Sequence, residues 1–369
     1  MDLKQLIVDL QSLGVQMPKP LPSRRGGAGP AEGTTIILHG WCCNVPTASW
    51  YVASSPYQMR AVPDGYRLYH HDLLVGEINI PPRPQYYDLV TPDGTRLEHI
   101  ALMHGSDCLA STVYQDCIYW NTPHQCRFCG IGLSLKQGLT TLSKSPADLA
   151  RAAESAYRTD NARHVTLTTG AWQDEKAGAA HLAACVQAIK HSAPLPVHVQ
   201  LCPPQRLDLI DLLKQAGADS IGIHLDVPDE TARQRLAPGK ALVSVEAYRR
   251  CWEHAVSVFG KNQVSSFLIA GLGEDFETMT ACIELLCSSG VFPYVVPFRP
   301  IPGTPLSTAR PPAPELMREL YTRTARILKN YGLASAASKA GCVRCGACSA
   351  LALFEHTEEH CQEIRYTDF

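Results

Sequence analysis

The chain has 369 residues, with 33 lysines and arginines against 35 aspartates and glutamates. This length can bury a sizeable core, and charges that nearly cancel give no support for a nucleic-acid groove or an anionic-membrane patch. No apolar run approaches the ~18 residues of a transmembrane helix, and the amino terminus lacks the basic and apolar segments of an export signal. These features predict a cytoplasmic protein without nucleic-acid or membrane partners.

The fifteen cysteines are of two kinds. One set is scattered among apolar neighbours and is interpreted as core or incidental: Cys42, Cys43, Cys108, Cys185, Cys202, Cys251, Cys282 and Cys287. The other set is bunched and is interpreted as metal ligands: Cys117, Cys126, Cys129, Cys342, Cys345, Cys348 and Cys361. An odd number of cysteines spaced two apart suits metal better than disulfides.

Three regions are predicted in chain order. Residues 1–105 form a helix, Leu3–Leu13, with apolar residues at helical spacing, followed by a β-rich cap in which short alternating segments lie between Pro and Gly. In residues 106–333, β-like runs alternate with helices, which is typical of a parallel sheet. The predicted strands are Cys108–Val113, His164–Thr169, Val197–Leu201, Ser220–Leu225, Val264–Ile269 and Tyr294–Phe298. Residues 334–369 form a Cys-rich tail.

Six strands in this pattern predict an α/β protein built on a partial (β/α)6 TIM-like barrel. Ser145 followed by Pro146 predicts the start of one helix, and Gly332 predicts the end of the helix from Pro314 to about Tyr331. In such barrels the chemistry collects at the carboxyl ends of the strands. The residues that follow each strand are therefore the candidates for function.

The strongest local motif is Cys117-x8-Cys126-Arg127-Phe128-Cys129-Gly130, in the loop after the first predicted barrel strand. Three thiolates can hold a [4Fe–4S] cluster by three irons and leave the fourth open, and an open position distinguishes a catalytic metal site from a structural one. Zinc is the alternative, with His124 as a fourth ligand. The spacing alone favours the cluster but leaves both open.

Further landmarks follow the other strands. Thr168-Thr169-Gly170 ends the second strand, and His224-Leu225-Asp226 ends the fourth. The fifth strand runs from Phe267 through Ile269 and Gly271 to Glu274, and the sixth contains Val295-Val296-Pro297-Phe298-Arg299. With the cysteine motif, these landmarks resemble the radical S-adenosylmethionine (SAM) superfamily, and within it the biotin-synthase-like branch, over about residues 108–306.

The resemblance implies a role for each matching residue. Cys117, Cys126 and Cys129 would ligate the cluster, and the amine and carboxylate of SAM would chelate the open iron. The implied SAM contacts are Phe128, Val296 and Pro297 at the adenine, Thr168, Thr169 and Gly170 at the methionyl amine, Ile269, Gly271 and Glu274 at the adenosyl group, and His224 and Asp226 at the ribose or substrate. The chain differs from the usual pattern in its eight-residue gap between the first two cysteines, where three is usual, and in lacking the acidic residue of Gly-Gly-Glu.

The implied reaction is reductive cleavage of SAM to a 5′-deoxyadenosyl radical that acts on an unknown small molecule, with electrons from a donor such as flavodoxin or ferredoxin. A sulfur-inserting enzyme like biotin or lipoyl synthase is one alternative. A non-catalytic iron–sulfur or zinc protein is another, but such a protein needs no adenosyl pocket.

The tail motif Cys342-x2-Cys345-x2-Cys348, with Cys361 as a fourth ligand, predicts a second [4Fe–4S] cluster, because ferredoxins use this spacing. Zinc is the rival, although two separated pairs of cysteines would suit it better. The stretches at residues 24–30 and 340–348 also make the chain resemble the uncharacterised radical SAM proteins of bacterial nitrilase gene clusters. That resemblance brings no known reaction with it.

Overall fold

The protein is described by a computed structural model over residues 2–18 and 32–356. Its strands are β1 Thr34–Leu38, β2 Trp41–Val45, β3 Tyr57–Val62, β4 Gly65–His70, β5 Leu73–Asn79, β6 Leu102–His104, β7 Cys108–Tyr114, β8 His164–Thr169, β9 Val197–Leu201, β10 Ser220–Ile223, β11 Val264–Ala270 and β12 Phe292–Pro297. Its α-helices are α1 Leu3–Leu13, α2 Leu133–Lys136, α3 Pro146–Thr159, α4 Glu175–Ser192, α5 Asp208–Gln215, α6 Glu230–Leu236, α7 Pro238–Ala241, α8 Val245–Phe259, α9 Phe276–Ser288, α10 Pro314–Tyr331, α11 Cys342–Cys345 and α12 Leu351–Glu355. Short 3-10 helices lie at Trp50–Ser54, Gln85–Asp88, Leu97–His99 and Ser335–Ala337.

The larger sheet has the strand order β12-β11-β10-β9-β8-β7-β6 and curls into a half-barrel. Strands β7 to β12 are parallel and follow chain order, whereas β6 pairs antiparallel with β7 at one edge. Helices connect the parallel strands, so the α/β prediction is confirmed. The six parallel strands are the six that the sequence predicts.

Strands β10 and β12 each differ from the prediction by two residues at one end, and the other parallel strands by at most one residue. Strand β10 stops at Ile223 rather than Leu225, because side chains replace backbone partners beyond it. Leu225 N donates to Ser266 Oγ, and Phe267 N donates to His224 Nδ1. Strand β12 begins at Phe292 and includes Pro293. Because β12 is an edge strand, a proline without an N–H is tolerated there.

The predicted helix signals are confirmed. Helix α1 spans the predicted residues. The Ser145 side chain accepts a hydrogen bond from the backbone N–H of Asp148 at the start of α3. Helix α10 ends at Gly332, whose φ of 60° is left-handed.

The β-rich cap is a five-stranded antiparallel sheet with the order β2-β1-β5-β4-β3. It shares one hydrophobic core with the half-barrel, to which the cap contributes Leu10 and Ile36 and the barrel contributes Trp252. Asp9 of α1 also makes an ion pair of 2.7 Å with Arg318 of α10. The cap is therefore fixed against the barrel. Strand β6 lies before the predicted boundary at residue 105 but pairs within the barrel sheet.

After α10 the tail crosses the amino ends of the parallel strands. The Asn262 side chain accepts a hydrogen bond from Ala334 N, and the Ser220 hydroxyl donates to Ala340 O. Gly341 N donates to His164 Nδ1 at 3.2 Å. The tail thereby closes the amino end of the sheet. Cys361 and the predicted glycine-rich stretch at residues 24–30 lie outside the described residues.

None of the helices within residues 2–18 and 32–356 is both long and apolar enough to cross a bilayer.

Candidate functional site

A cavity of about 340 Å³ lies at the carboxyl ends of the parallel strands, and this volume is in the range of small-molecule sites. Most of the residues that the resemblance implies line it. They are Cys117, Cys126, Phe128, Cys129, Thr168, Thr169, Gly170, His224, Asp226, Ile269, Val296 and Pro297. The structure therefore gathers residues from the ends of four strands, β8, β10, β11 and β12, and from the cysteine loop around one space.

The cysteine loop is held by backbone hydrogen bonds to three neighbouring segments. Ile118 N donates to Ala171 O at 3.0 Å, next to the end of β8. Arg127 N donates to Leu236 O at 2.7 Å at the end of α6, and Leu306 N donates to Arg127 O at 3.3 Å. These bonds position Cys117 and Cys126 from both sides of the eight-residue gap.

Two aromatic residues within the gap pack over glycines. A Cβ placed on Gly239 would lie 2.6 Å from the Tyr119 ring, and one placed on Gly132 would lie 2.3 Å from Trp120 Nε1. Both distances are shorter than any side chain tolerates, so these positions need glycine. The long gap is therefore packed against α7 and the start of α2. His124, the candidate zinc ligand in it, is exposed and does not line the cavity.

Gly170 lies directly against the cysteine loop. A Cβ at this position would stand 2.0 Å from Asp116 O and 2.7 Å from Cys117 Cβ. The φ of Gly170 is not in the left-handed region, so the close approach alone requires glycine. The preceding Thr169 hydroxyl accepts a hydrogen bond of 2.7 Å from Trp172 Nε1. Contact with the end of β8 thus fixes the position of Cys117 relative to the barrel strands.

Burial governs the titration of Cys126 and Cys129. It raises the pKa of Cys126 far above its ordinary value and that of Cys129 to about 11. Neighbouring thiols add to both shifts, because a second nearby thiolate repels the first. These thiols are therefore protonated at neutral pH, and a metal group that binds them must displace protons.

A buried ion pair faces the same cavity. Lys240 Nζ lies 2.5 Å from Asp226 Oδ2 and donates a hydrogen bond of 2.6 Å to His224 O. Burial by itself lowers the pKa of Lys240, but the Asp226 carboxylate acting together with Tyr248, Cys202 and Cys126 outweighs it and raises that pKa well above its usual value. Burial and the nearby Lys240 lower the pKa of His224. The site therefore holds a charged pair beside a neutral imidazole.

Two of the implied SAM contacts, Gly271 and Glu274, do not line the cavity. The φ of Gly271 is 97°, and a Cβ there would lie 2.9 Å from Pro312 Cδ. The Glu274 carboxylate accepts hydrogen bonds from the backbone N–H groups of Gly271 at 2.6 Å and Leu272 at 2.9 Å. In this structure both residues shape the turn after β11.

The cavity also contains residues that sequence reasoning did not select. Cys202 directly follows β9, and Arg299 stands in the quoted strand-six motif, so the strand-end rule could have found both. Lys240 lies in the short helix α7, away from any strand end, and no sequence signal marks it. Gln200 and Phe267 face the cavity from within β9 and β11.

The tail cysteines form a second group. Cys348 lines the cavity and its Sγ lies 3.2 Å from His104 Nε2. Gln200 Nε2 lies 3.4 Å from Cys342 Sγ, and Cys345 packs against the buried Cys108. Cys342 and Cys345 do not line the cavity itself. The tail therefore brings its cysteines to the inner side of the sheet.

The described residues contain no group of three His, Cys, Asp or Glu side chains positioned to share a single metal ion.

Comparison with known proteins bears on the region that contains Cys126 and Cys129 of the first motif. Residues 122–286 match the family model described as the radical SAM superfamily. This region, a little under half of the chain, is therefore similar to the radical SAM domain. The radical SAM match includes Cys126 and Cys129, the pair Asp226 and Lys240, and strands β8 to β11.

Among curated proteins, the chain is similar to bacteriochlorophyllide c C-7(1)-hydroxylase of Chlorobaculum limnaeum, with 26% identity over 234 residues. The alignment covers 57% of this chain and 57% of that protein, so the chain spans little more than half the length of this curated relative. Among solved structures, methylornithine synthase has a TM-score of 0.46 at 16% identity and covers 60% of this chain and 61% of its own. A radical SAM methyltransferase from Sphaerobacter thermophilus has a TM-score of 0.47 at 17% identity and covers 66% and 70%.

Proteins of the radical SAM superfamily use a [4Fe–4S] cluster and SAM. Radical SAM enzymes act on small-molecule substrates and receive electrons from an external donor.

Proposed function

We propose that Cys117, Cys126 and Cys129 hold the [4Fe–4S] cluster that binds SAM, and that the enzyme acts on a small molecule in the same cavity. The observation that carries this proposal is that all three thiols line one cavity together with most of the residues that the family resemblance implies for SAM. When bound, the cluster and SAM together supply a 5′-deoxyadenosyl radical by reductive cleavage.

The chain's own residues bind the ligands and exclude water. Phe128, Ile269, Val296 and Pro297 offer an apolar wall for an adenine and its sugar. Thr168, Thr169 and Gly170 line the cavity at the end of β8, where their backbone carbonyl groups can accept hydrogen bonds from a methionyl amine. Asp226, oriented by Lys240, can accept hydrogen bonds from hydroxyl groups.

The position of His124 weighs against zinc. Zinc held by three thiolates in a structural site needs a fourth protein ligand, whereas a cubane binds each thiolate at a different iron and leaves one iron open. His124, the proposed fourth zinc ligand, is exposed and lies outside the cavity.

We further propose that Cys342, Cys345 and Cys348 hold a second [4Fe–4S] cluster, for which the sequence predicts Cys361 as the fourth ligand. Cys348 lines the same cavity as the first cysteine motif. This position supports a second cluster that faces the substrate. It favours the sulfur-inserting alternative of the biotin-synthase-like branch, because a surface electron relay needs no contact with the substrate cavity. We also propose that the chain is related to the radical SAM proteins of bacterial nitrilase gene clusters.

The direct test of the first cluster is anaerobic reconstitution with dithionite and SAM, assayed for 5′-deoxyadenosine. The reconstituted parent should make this product, and Cys126→Ala should reduce it to background because the cluster loses a ligand. Cys185→Ala is the matched control, since Cys185 is a fully buried cysteine of α4 outside the cavity. A Cys126→Ala variant as active as the parent would overturn the assignment.

A further inference from the structure

We propose that Cys42, in strand β2 of the cap, is the fourth thiolate of the second cysteine centre. The inference rests on the second cluster proposed above. It replaces the predicted tail ligand Cys361 with a residue about three hundred positions earlier in the chain, so that one cluster would join the cap to the tail.

The space beside Gly105 brings the two parts together. A Cβ on Gly105 would lie 2.8 Å from Cys345 Sγ and 3.9 Å from Cys42 Sγ. Both sulfurs therefore border the same small space, which a larger residue would fill. Gly105 has a left-handed φ of 63° and follows His104, whose carbonyl oxygen lies 4.0 Å from Cys345 Sγ.

Strand alternation aims Cys42 at this space. Successive side chains of a strand point to opposite faces, and Cys43 is fully buried in the main hydrophobic core. Cys42 is only partly buried and lies on the other face of β2, next to the tail.

The edge of β2 is tied to the loop that carries the tail cysteines. Strand β2 is the edge strand of the cap sheet, and Asn44 N donates a hydrogen bond of 2.7 Å to Ala347 O, between Cys345 and Cys348. The buried Arg299 guanidinium donates to Asn44 O at 2.8 Å and to Asn44 Oδ1 at 2.6 Å. This network holds Cys42 in a fixed position relative to the tail.

Cys108 is the other thiol near the group, but its contacts suit a structural role. Its Sγ lies 3.3 Å from Thr166 Oγ1 and hydrogen-bonds directly with Cys345. Two thiolates bound to separate irons of a cubane do not touch one another. His104 suits the role of a hydrogen-bond donor to a ligand rather than that of a ligand. Its Nε2 lies 3.2 Å from Cys348 Sγ and can donate a hydrogen bond to a coordinated sulfur.

A centre closed by four thiolates leaves no open iron to bind the substrate directly. What remains for a cluster that faces the cavity is donation of sulfide or electron transfer over a short distance. A Cys42 ligand would thereby exclude direct binding of the substrate to an iron of the second cluster.

The test is an iron and acid-labile sulfide count with low-temperature EPR on the reconstituted parent, Cys42→Ala, Cys43→Ala, Cys108→Ala and Cys361→Ala. The parent should carry about eight irons, as two cubanes require. Cys42→Ala should lose about four irons or keep them with an altered EPR signal, whereas the other three variants should match the parent. Cys43→Ala is the matched control, because it removes the neighbouring thiol from the opposite face of the same strand.

A Cys42→Ala variant that matches the parent in both readouts would overturn the inference, as would loss of iron in Cys108→Ala or Cys361→Ala alone. A parent with about four irons would instead refute the second cluster itself. Should Cys42→Ala fail to fold, alkylation of the parent followed by mass spectrometry still decides. Cys42 should be protected in the loaded protein and labelled after iron removal, while Cys361 should be labelled in both. Labelling of Cys42 in the loaded protein would contradict the proposal.

Discussion

Gly170→Ala is expected to disable the first cluster site while leaving the fold intact. The added methyl group would stand 2.0 Å from Asp116 O and 2.7 Å from Cys117 Cβ, whereas real Cβ contacts are essentially never below 3.0 Å. Both neighbours belong to the backbone or to the first atom of a side chain, so no flexible chain end can swing away. The cysteine loop itself has to move.

The required movement sets the size of the effect. Restoring an allowed contact separates β8 from the loop by about 1 Å, and a misplacement of ~1 Å at a reacting centre can cost about 100-fold in rate. A factor of 100 corresponds to about 2.7 kcal/mol, which is within the ~1–3 kcal/mol that overpacking usually costs. The strain and the functional loss are therefore of comparable size.

The assay is the rate of 5′-deoxyadenosine formation with saturating SAM, together with iron content and melting temperature. Gly170→Ala should form the product about 100-fold more slowly and retain less iron at the first site. Gly138→Ala is the control for the close contact: a Cβ at Gly138 meets nothing within 4 Å, so any loss in this variant reflects only the strain of its left-handed φ of 69°. If Gly170→Ala kept the rate and iron content of the parent, the predicted contact between β8 and Cys117 would be wrong.

Two further predictions concern stability. Gly271→Ala should lower the free energy of unfolding by about 2 kcal/mol, because the left-handed backbone and the nearby Pro312 oppose a side chain. The SAM affinity of the folded protein should stay unchanged. Lost affinity at an unchanged melting temperature would show instead that Gly271 belongs to the SAM site. Burial lowers the pKa of Lys144 to about 7. Between pH 7 and 10 the unfolded chain therefore binds more protons than the folded one. The free energy of unfolding should rise with pH in this range, by up to about 1.4 kcal/mol per pH unit. Denaturant unfolding of the apoprotein should show that this rise is smaller in Lys144→Met, and equal pH slopes in the two proteins would contradict the assignment.

Local signals in the sequence determine the order and the approximate bounds of the helices and strands of the barrel. Helix α1 follows from apolar residues at helical spacing, and the start of α3 follows from Ser145, because hydrogen bonds between neighbours along the chain decide both. The parallel strands follow from runs of apolar residues that alternate with helices. The strand-end rule then brings the cysteine motif and its landmarks to one cavity.

The tertiary structure decides contacts between residues that are distant along the chain. The pairing of Asp226 with Lys240, the packing of Pro312 against Gly271 and the approach of Cys42 to Cys345 leave no pattern in the sequence. Spacing and periodicity report only on neighbours within a few turns. Which cap strand meets which segment of the tail depends instead on how complete sheets and helices pack, and that packing is fixed only when the whole core is buried.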